Sequence, residues 1–589
     1  MIDIWVGTKR SLQRGLRAAR QHPLHVAAAI AWLASAVLLF YRLPFGVSHR
    51  DEAFYSAMPY SFALGNRPYF DELAMHQNAA LLTEPFFRLY LAVVGSADGI
   101  ILFNRQLYFV YVCVCSFLAY RFVRRISGFV LACCVAAIVI PFSYFSILAL
   151  SYNTCGAFGF FCGVATTAAA VLRPRPGRGL FAASLWFLAG VFAYPGYAPA
   201  LLIYVLIVVA WLYRNTDRKS LYSGLWGLAA GAAAFALVIV PLALWLGRAG
   251  IDRLIGFSQS MGYVSGAAFA KFDFANSPFW PWRWGMLAFG GMFVALAIAS
   301  RWLRRGTWLL VPLTVAAWLA CYHVSVITTA TTGVTLCVLS LVLVTPVCVA
   351  VNRQWAYGRL VLELLWAPSV LAMLCAVYSS ANGYLAASLG SLGSTVAAVV
   401  SLYVCLESAW QLNPKKRVPL ALSLATCFYG VMYVQYANLF GACYDAEMVF
   451  AAHDTRVKTG PMRGTIATKH EAVRLELIDA DLKSVEHFGK TLTVFDNFAT
   501  GYLSTRLRPR TFSEWIVWDI DPKYAEEVTK ATFGTPDKLP DLVLEIGVDP
   551  GARAAYWQQY FKGRYTPIIE RPEYDYVILR RSRSRHRPH

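Results

Sequence analysis

Two carboxylates stand side by side at Asp51 and Glu52, in the run Ser48-His49-Arg50-Asp51-Glu52-Ala53-Phe54-Tyr55, just after the first long apolar stretch, His25 to Phe40. An ionised pair at the mouth of an apolar helix is costly unless water or a reaction partner faces it. A carboxylate there can take a proton from an incoming hydroxyl. It can also hold a divalent cation that neutralises a phosphate leaving group. The same pair favours the dipole of a helix that starts here, and the spacing leaves these readings open.

More ionisable groups follow in the same loop: Arg67, Asp71, Glu72, His76 and Arg88, with Gln77 and Asn78 beside the histidine. Such a loop can bind a phosphorylated, sugar-bearing substrate, or can simply be solvated. Glu84 lies in an apolar setting, Leu82 to Phe87, where it would help shape a pocket. Tyr152-Asn153 occupies a very short connection that suits a plain turn or a sugar-binding amide. Arg105, Arg253, Lys271 and Arg283 lie where they could hold a phosphate, for which the planar guanidinium fork is well matched. Snorkelling toward lipid headgroups is the competing use of each. No GxGxxG, Walker A, HExxH or GxSxG run occurs in a fitting context, which weakens nucleotide-driven transport and proteolysis.

The elements that must position these groups are membrane helices. Of 589 residues 58% are hydrophobic and only 15% charged, against about a quarter charged in soluble proteins. Apolar runs of roughly 17–25 residues recur, each long enough to cross a ~30 Å hydrocarbon core. The fold class predicted is a polytopic α-helical membrane protein of about thirteen transmembrane helices with a C-terminal soluble α/β domain. The +20 charge is spread as short basic clusters between the apolar runs, the pattern of cytoplasmic loops rather than of nucleic-acid binding. By that pattern the N-terminus is cytoplasmic. No zinc spacing appears among the 13 cysteines, and nearly all sit within apolar runs as packing residues.

The predicted organisation is a transmembrane module over 1–439, with large outer loops at about 43–99 and 247–283, and a soluble domain over 440–589. In the tail, 491–496, 542–547 and 576–579 read as strands, and segments near 466–484, 522–532 and 551–561 read as helices.

A basic N-terminus, one span, an outer loop opening on Asp51-Glu52, about a dozen further spans and an outer C-terminal domain together resemble class C glycosyltransferases, which use polyprenyl-phosphate sugars. The bacterial aminoarabinose and protein O-mannosyltransferase group is the most similar, and the run Val494 to Leu503 looks like the outer domains of bacterial members. The resemblance covers the whole architecture. It implies an inner-membrane enzyme that moves a hexosyl or pentosyl group from a polyprenyl-phosphate donor to a lipid, glycan or protein acceptor at the periplasmic face, with inversion. It implies Asp51 as general base, supported by Glu52, and a donor phosphate near His76 and Asn78, with Asn382 and Tyr384 lining the donor site; His49, Arg50 and Tyr55, beside the acidic pair, are further candidate substrate-binding residues. His76 stands where relatives carry a permanent cation, which would make that charge titratable. Many members carry another acidic residue between the third and fourth spans, where this chain has Tyr152-Asn153 and no carboxylate; if a divalent ion takes part, Asp51 and Asp71 are its candidate ligands. A flippase that moves a lipid-linked sugar without chemistry is the competing reading. It would place ionisable residues in mid-span, whereas here they gather in the outer loops.

Overall fold

A computed structural model describes residues 22–49, 51–74, 76–143, 146–260, 272, 335, 338–339, 341–380, 382–412, 417–443, 446–447, 452–495, 498–511, 513–514, 530, 532–547, 561 and 563–582. Most of them are helical. Helix α1 (Pro23–Arg42) is a single apolar rod that starts on a proline, whose missing N–H costs nothing in a first turn. Helices α2 (Asp51–Ala63) and α3 (Gln77–Val94) form the first long connection between apolar helices. Then follow α4 (Ile100–Ile126), α5 (Phe129–Val139), α6 (Tyr152–Ala170), α7 (Gly177–Ala193), α8 (Ala198–Asn215) and α9 (Arg218–Ser260). After residues outside the described set come α10 (Val344–Val351), α11 (Gly358–Ser379), α12 (Ala387–Gly390), α13 (Leu392–Leu412) and α14 (Arg417–Gly441).

Among the described residues five helices are long and apolar enough to cross a membrane, or six if a pair bent by 59°, spanning Gly383–Gly390 and Leu392–Cys405, counts as one. The expected thirteen is therefore corrected downward, for local reasons. The run at 127–149 yields only the eleven residues of α5, because Pro141 cannot continue a helix, and the described residues between it and Ser151 are non-helical. The expected spans at 284–303 and 307–326 lie outside the described residues. The apolar run at 332–351 is described as helix over Val344–Val351.

Helices α6 and α7 approach closely because glycines face each other. A methyl group at Gly159 would stand 2.7 Å from the Cα of Gly190, and one at Gly190 would stand 2.6 Å from the backbone of Phe160. In a membrane, where apolar side chains gain nothing by leaving lipid, this kind of close backbone contact is what holds helices together. Helix α9 breaks at Gly247 (φ 62°), so the part after the break leaves the direction of the apolar part before it. Trp245, just before the break, packs against the rings of Phe70 and Tyr69 at 5.1 and 6.1 Å and so docks the first loop on α9.

The tail opens on two short antiparallel pairs, β1 (Ala442–Cys443) with β2 (Ala446–Glu447) and β3 (Thr455–Arg456) with β4 (Ile466–Ala467), and is built on a five-stranded sheet in the order β6-β5-β7-β9-β8. Its strands are β5 (Thr491–Phe495), β6 (Arg508–Pro509), β7 (Leu542–Ile546), β8 (Tyr565–Arg571) and β9 (Tyr576–Arg581). β5 runs parallel to β6 and β7, and β9 is antiparallel to β7 and β8. Pro509 is tolerated because β6 is an edge. Helix α15 (Lys469–Val485) begins on a Thr468 cap that accepts the Glu471 N–H at 3.3 Å.

The first loop and the tail sit at the same end of the bundle. Ile466 N–H donates to the carbonyl of Pro44 at 2.7 Å, Gly46 N–H to that of Ile466 at 3.0 Å, and Gly99 N–H to that of Gly460 at 2.9 Å. The Tyr60 hydroxyl donates to the Thr505 carbonyl at 2.7 Å.

Candidate functional site

Asp51 and Glu52 open α2, where the helix dipole favours negative charge. Yet α2 is no solvated surface helix: every residue from Asp51 to Phe62 is buried. The two carboxylates are treated differently. Glu52 meets Arg105 of α4 in a bidentate pair, Nε to Oε1 at 2.5 Å and Nη2 to Oε2 at 2.7 Å. The other Arg105 donors go to carbonyls of Leu43 at 2.6 Å, Phe45 at 3.3 Å and Gly46 at 2.9 Å. Arg105 thus clamps the end of α1 to the start of α2, and its fork is fully committed to the protein. Asp51 is 8% exposed. It lines none of the three described cavities.

Tail residues roof this corner. His49 Nε2 contacts the Glu471 carboxylate, and that hydrogen bond holds Glu471 below the usual carboxylate range. The His49 ring also packs on Phe498 at 4.9 Å. Beneath it, Asn104 donates to the Ser56 hydroxyl at 3.0 Å and accepts the Leu150 N–H at 3.1 Å, tying α2 to the segment that precedes α6.

One turn beyond Asp51, on the same face of α2, Tyr55 meets Tyr152 at 5.8 Å. Tyr152 is the hub of an aromatic chain. His76 lies 4.0 Å from it, and Tyr194 stacks on it at 5.6 Å with rings nearly parallel. Tyr194 in turn meets Tyr197 at 4.6 Å, and the Ser379 hydroxyl donates to the Tyr194 oxygen at 3.0 Å. Loop residues from α2, α3, α6, the α7–α8 turn and α11 thereby converge. Next to the hub, Asn153 is 3% exposed, and its carboxamide oxygen has no hydrogen-bond partner among the described residues. Burial pushes the His76 imidazole down to about 3. At neutral pH it is a neutral ring, not the titratable cation expected from the sequence.

The remaining expected residues scatter. Glu72 is buried, accepting the N–H groups of Ala74 at 2.7 Å and Glu514 at 3.1 Å, and burial together with the Glu514 carboxylate raises its carboxyl well above the ordinary range. Asp71 pairs with Arg67 at 3.2 Å on the surface. Glu84 pairs with Arg88 one turn along α3 and lines none of the three cavities. Asn382 is exposed, and the Tyr384 hydroxyl donates to the Phe272 carbonyl at 2.8 Å. Arg50, Lys271 and Arg283 lie outside the described residues. No group of three or more His, Cys, Asp or Glu that could hold a metal is found among the described residues, and Asp51 and Asp71 belong to no such group.

Two cavities flank this region. One, of about 740 Å³, is a groove between α7, α8 and α9, walled almost entirely by carbon, with Asn78 at the end where α7 stops and α8 begins. Leu202 and Leu206 on its rim are each 69% exposed, so it opens on the side of the bundle that lipid would cover. The other, of about 1240 Å³, is a polar cleft between the first loop, the end of α9 and the tail.

The sequence reading passed over several of these residues. Arg42 is buried at the end of α1, donating to the Leu439 carbonyl at 2.8 Å and the Phe45 carbonyl at 2.5 Å. An arginine ending a span on the side that lacks basic clusters was the available signal. Glu471 and Phe498 carried none, since only tertiary contact brings them here.

No protein-family model matches the chain, and no curated protein matches it in sequence. Among solved structures, it is similar to the archaeal oligosaccharyltransferase AglB from Archaeoglobus fulgidus in complex with an inhibitory peptide and a dolichol-phosphate, at 12% identity and a TM-score of 0.47, over 96% of this chain and 75% of that one. It is also similar to an oligosaccharyltransferase from Archaeoglobus fulgidus in complex with Zn and sulfate, at 12% identity and a TM-score of 0.40, over 92% and 71%. At that level the likeness carries no argument about activity.

Proposed function

We propose that this multi-pass membrane protein is a glycosyltransferase that takes a sugar from a polyprenyl-phosphate and passes it to an acceptor at the outer, periplasmic face of the inner membrane. The observation that carries the reading is the apolar groove of about 740 Å³, within the ~300–1,000 Å³ range of ligand sites, ended by the Asn78 carboxamide at the loop side. A polyprenyl tail gains no hydrophobic free energy by leaving lipid for such a groove. The groove therefore selects shape and fixes where the phosphate lies, beside Asn78 and within the reach of the His76–Tyr152–Asn153 cluster.

In this reading the sugar and phosphate are met by neutral donors, because Arg105 is committed to Glu52 and His76 is uncharged. Asn153 offers an amide to a sugar hydroxyl, and the Tyr152 and Tyr194 rings offer faces to the pyranose or furanose. The resemblance in sequence supports Asp51 as base. The acceptor O–H proton goes to Asp51, the acceptor oxygen bonds to C1, and the C1–O bond to phosphate breaks with its electron pair staying on the phosphate. Asp51 is 8% exposed, so an acceptor hydroxyl reaches it only when neighbouring groups move aside. The acceptor, whether lipid, glycan or protein, is left to experiment, as is a divalent ion.

The test is to incubate purified protein in detergent with radiolabelled polyprenyl-phosphate sugars and a membrane extract. Wild type should release free polyprenyl-phosphate and label an acceptor. Ala232→Trp, which fills the groove from its exposed wall, should cut transfer at least tenfold with the melting temperature unchanged. Equal transfer by that variant would remove the groove from the reaction.

A further inference from the structure

The polar cleft carries charge that the transfer reading does not use. Its lining holds seven cationic side chains against two acids, Asp71 and Glu486. Asp71 is already paired with Arg67, and Glu486 accepts the Arg506 backbone N–H at 2.7 Å. Five of the cations, Arg253, Lys490, Arg506, Arg508 and Arg510, have no carboxylate within ion-pair distance among the described residues. They come from separate places: Arg253 from beyond the Gly247 break of α9, Lys490 from the lead-in to β5, and Arg506, Arg508 and Arg510 from the segment around β6.

Alternation explains how the last three reach one cavity. Residues two apart on an extended segment share a face, so Arg506, Arg508 and Arg510 project together while Leu507 turns into the core and Pro509 is buried. Arg506 also donates to the Gly95 carbonyl at 2.6 Å and Arg510 to the Lys538 carbonyl at 3.0 Å; the like charges so gathered repel one another, and a bound anion relieves that repulsion more than solvent and salt alone do. A single phosphate would touch a small part of a cavity of about 1240 Å³. Arginine suits phosphate oxygens by its fork.

We infer that this cleft is a second binding site, for a ligand bearing two or more phosphate groups. It goes beyond the transfer reading, since binding there needs neither a polyprenyl donor nor Asp51, and its failure would leave that reading untouched. The ligand is either a soluble polyanion or a lipid whose phosphates reach up past Arg253, which leaves the apolar stretch of α9 only a few residues earlier.

The experiment uses the full chain in detergent micelles, titrated calorimetrically with sodium tripolyphosphate and, separately, with orthophosphate. Tripolyphosphate should bind at least tenfold more tightly than orthophosphate, with affinity falling as salt is raised. Lys490→Ser and Arg508→Ser, both at exposed positions, should each weaken it several-fold, and together at least tenfold, at unchanged melting temperature. Absence of binding, equal affinity for the two anions, or full affinity in the double variant would overturn the site. Competition with nanodiscs separates the sources. Displacement of tripolyphosphate by phosphatidylglycerol but not phosphatidylcholine discs supports a lipid-borne ligand, and retention supports a soluble one.

Discussion

Arg105 and Glu52 face each other in the protein interior as a bidentate pair, with Nε–Oε1 at 2.5 Å and Nη2–Oε2 at 2.7 Å. The pair fixes one role among the adjacent carboxylates: Glu52 anchors α2 to α4. Breaking a buried pair from one side leaves an unpaired buried charge, a cost of about 3–5 kcal/mol. Arg105→Met should therefore lower the melting temperature in detergent sharply, and Glu52→Gln should do the same. Joining Arg105→Met with Glu52→Leu should recover part of the loss. A double variant no better than the worse single one would show that the carbonyl contacts of Arg105, not the pair, hold this corner.

Asp51 has the opposite expectation. Asp51→Asn keeps size and shape, so stability should hold while transfer falls by about 10²–10⁴, the ordinary worth of a general base. The assay is the radiolabel transfer above, run beside a melting curve. Transfer within a few-fold of wild type would end the base assignment.

Glu72 links the first loop to the tail through Glu514. Its folded carboxyl titrates well above the ordinary carboxylate value of 4.5, chiefly through burial and then through the Glu514 charge. The folded state thus holds its proton more tightly than the unfolded state. The associated stability is present below pH 4.5 and is lost as pH rises through the raised value. Glu72→Gln, neutral at every pH, should stabilise the protein at pH 7 and flatten this part of the pH–stability curve. A neutral-pH melting temperature below wild type would count against a retained proton.

His76 runs the other way in the same loop. Its ring is pushed from 6.5 to about 3 by burial, so its stability contribution is present above pH 6.5 and is lost as pH falls toward 3. His76→Gln should reduce acid lability over that interval. The pH–rate profile of transfer should show no limb near 6.5 that the variant removes. A limb that vanishes in His76→Gln would mean that the imidazole is charged during turnover.

Much of the architecture is legible in the residues alone. Apolar runs and basic clusters announce membrane helices, and Val494, Leu544 and Ile578 lie in strands already marked by β-branched and apolar content. The count of spans is less legible, because hydropathy does not see that Pro141 stops α5 after eleven residues. Of the site, the sequence marked Asp51, Glu52, His76, Tyr152 and Asn153 as groups worth placing. It could not assign Arg105, whose fork serves a phosphate or a carboxylate equally well until its neighbour is known.

Composition and order along the chain therefore determined the membrane character, the acidic pair at the end of the first span and the strands of the tail, since these depend on residue type and local period. Tertiary structure alone decided which carboxylate is neutralised, that His76 is uncharged, and that arginines from α9 and the tail share one cleft. Those outcomes depend on burial and on charges brought within a few ångströms by residues far apart in sequence, such as the 53-residue separation of Glu52 and Arg105.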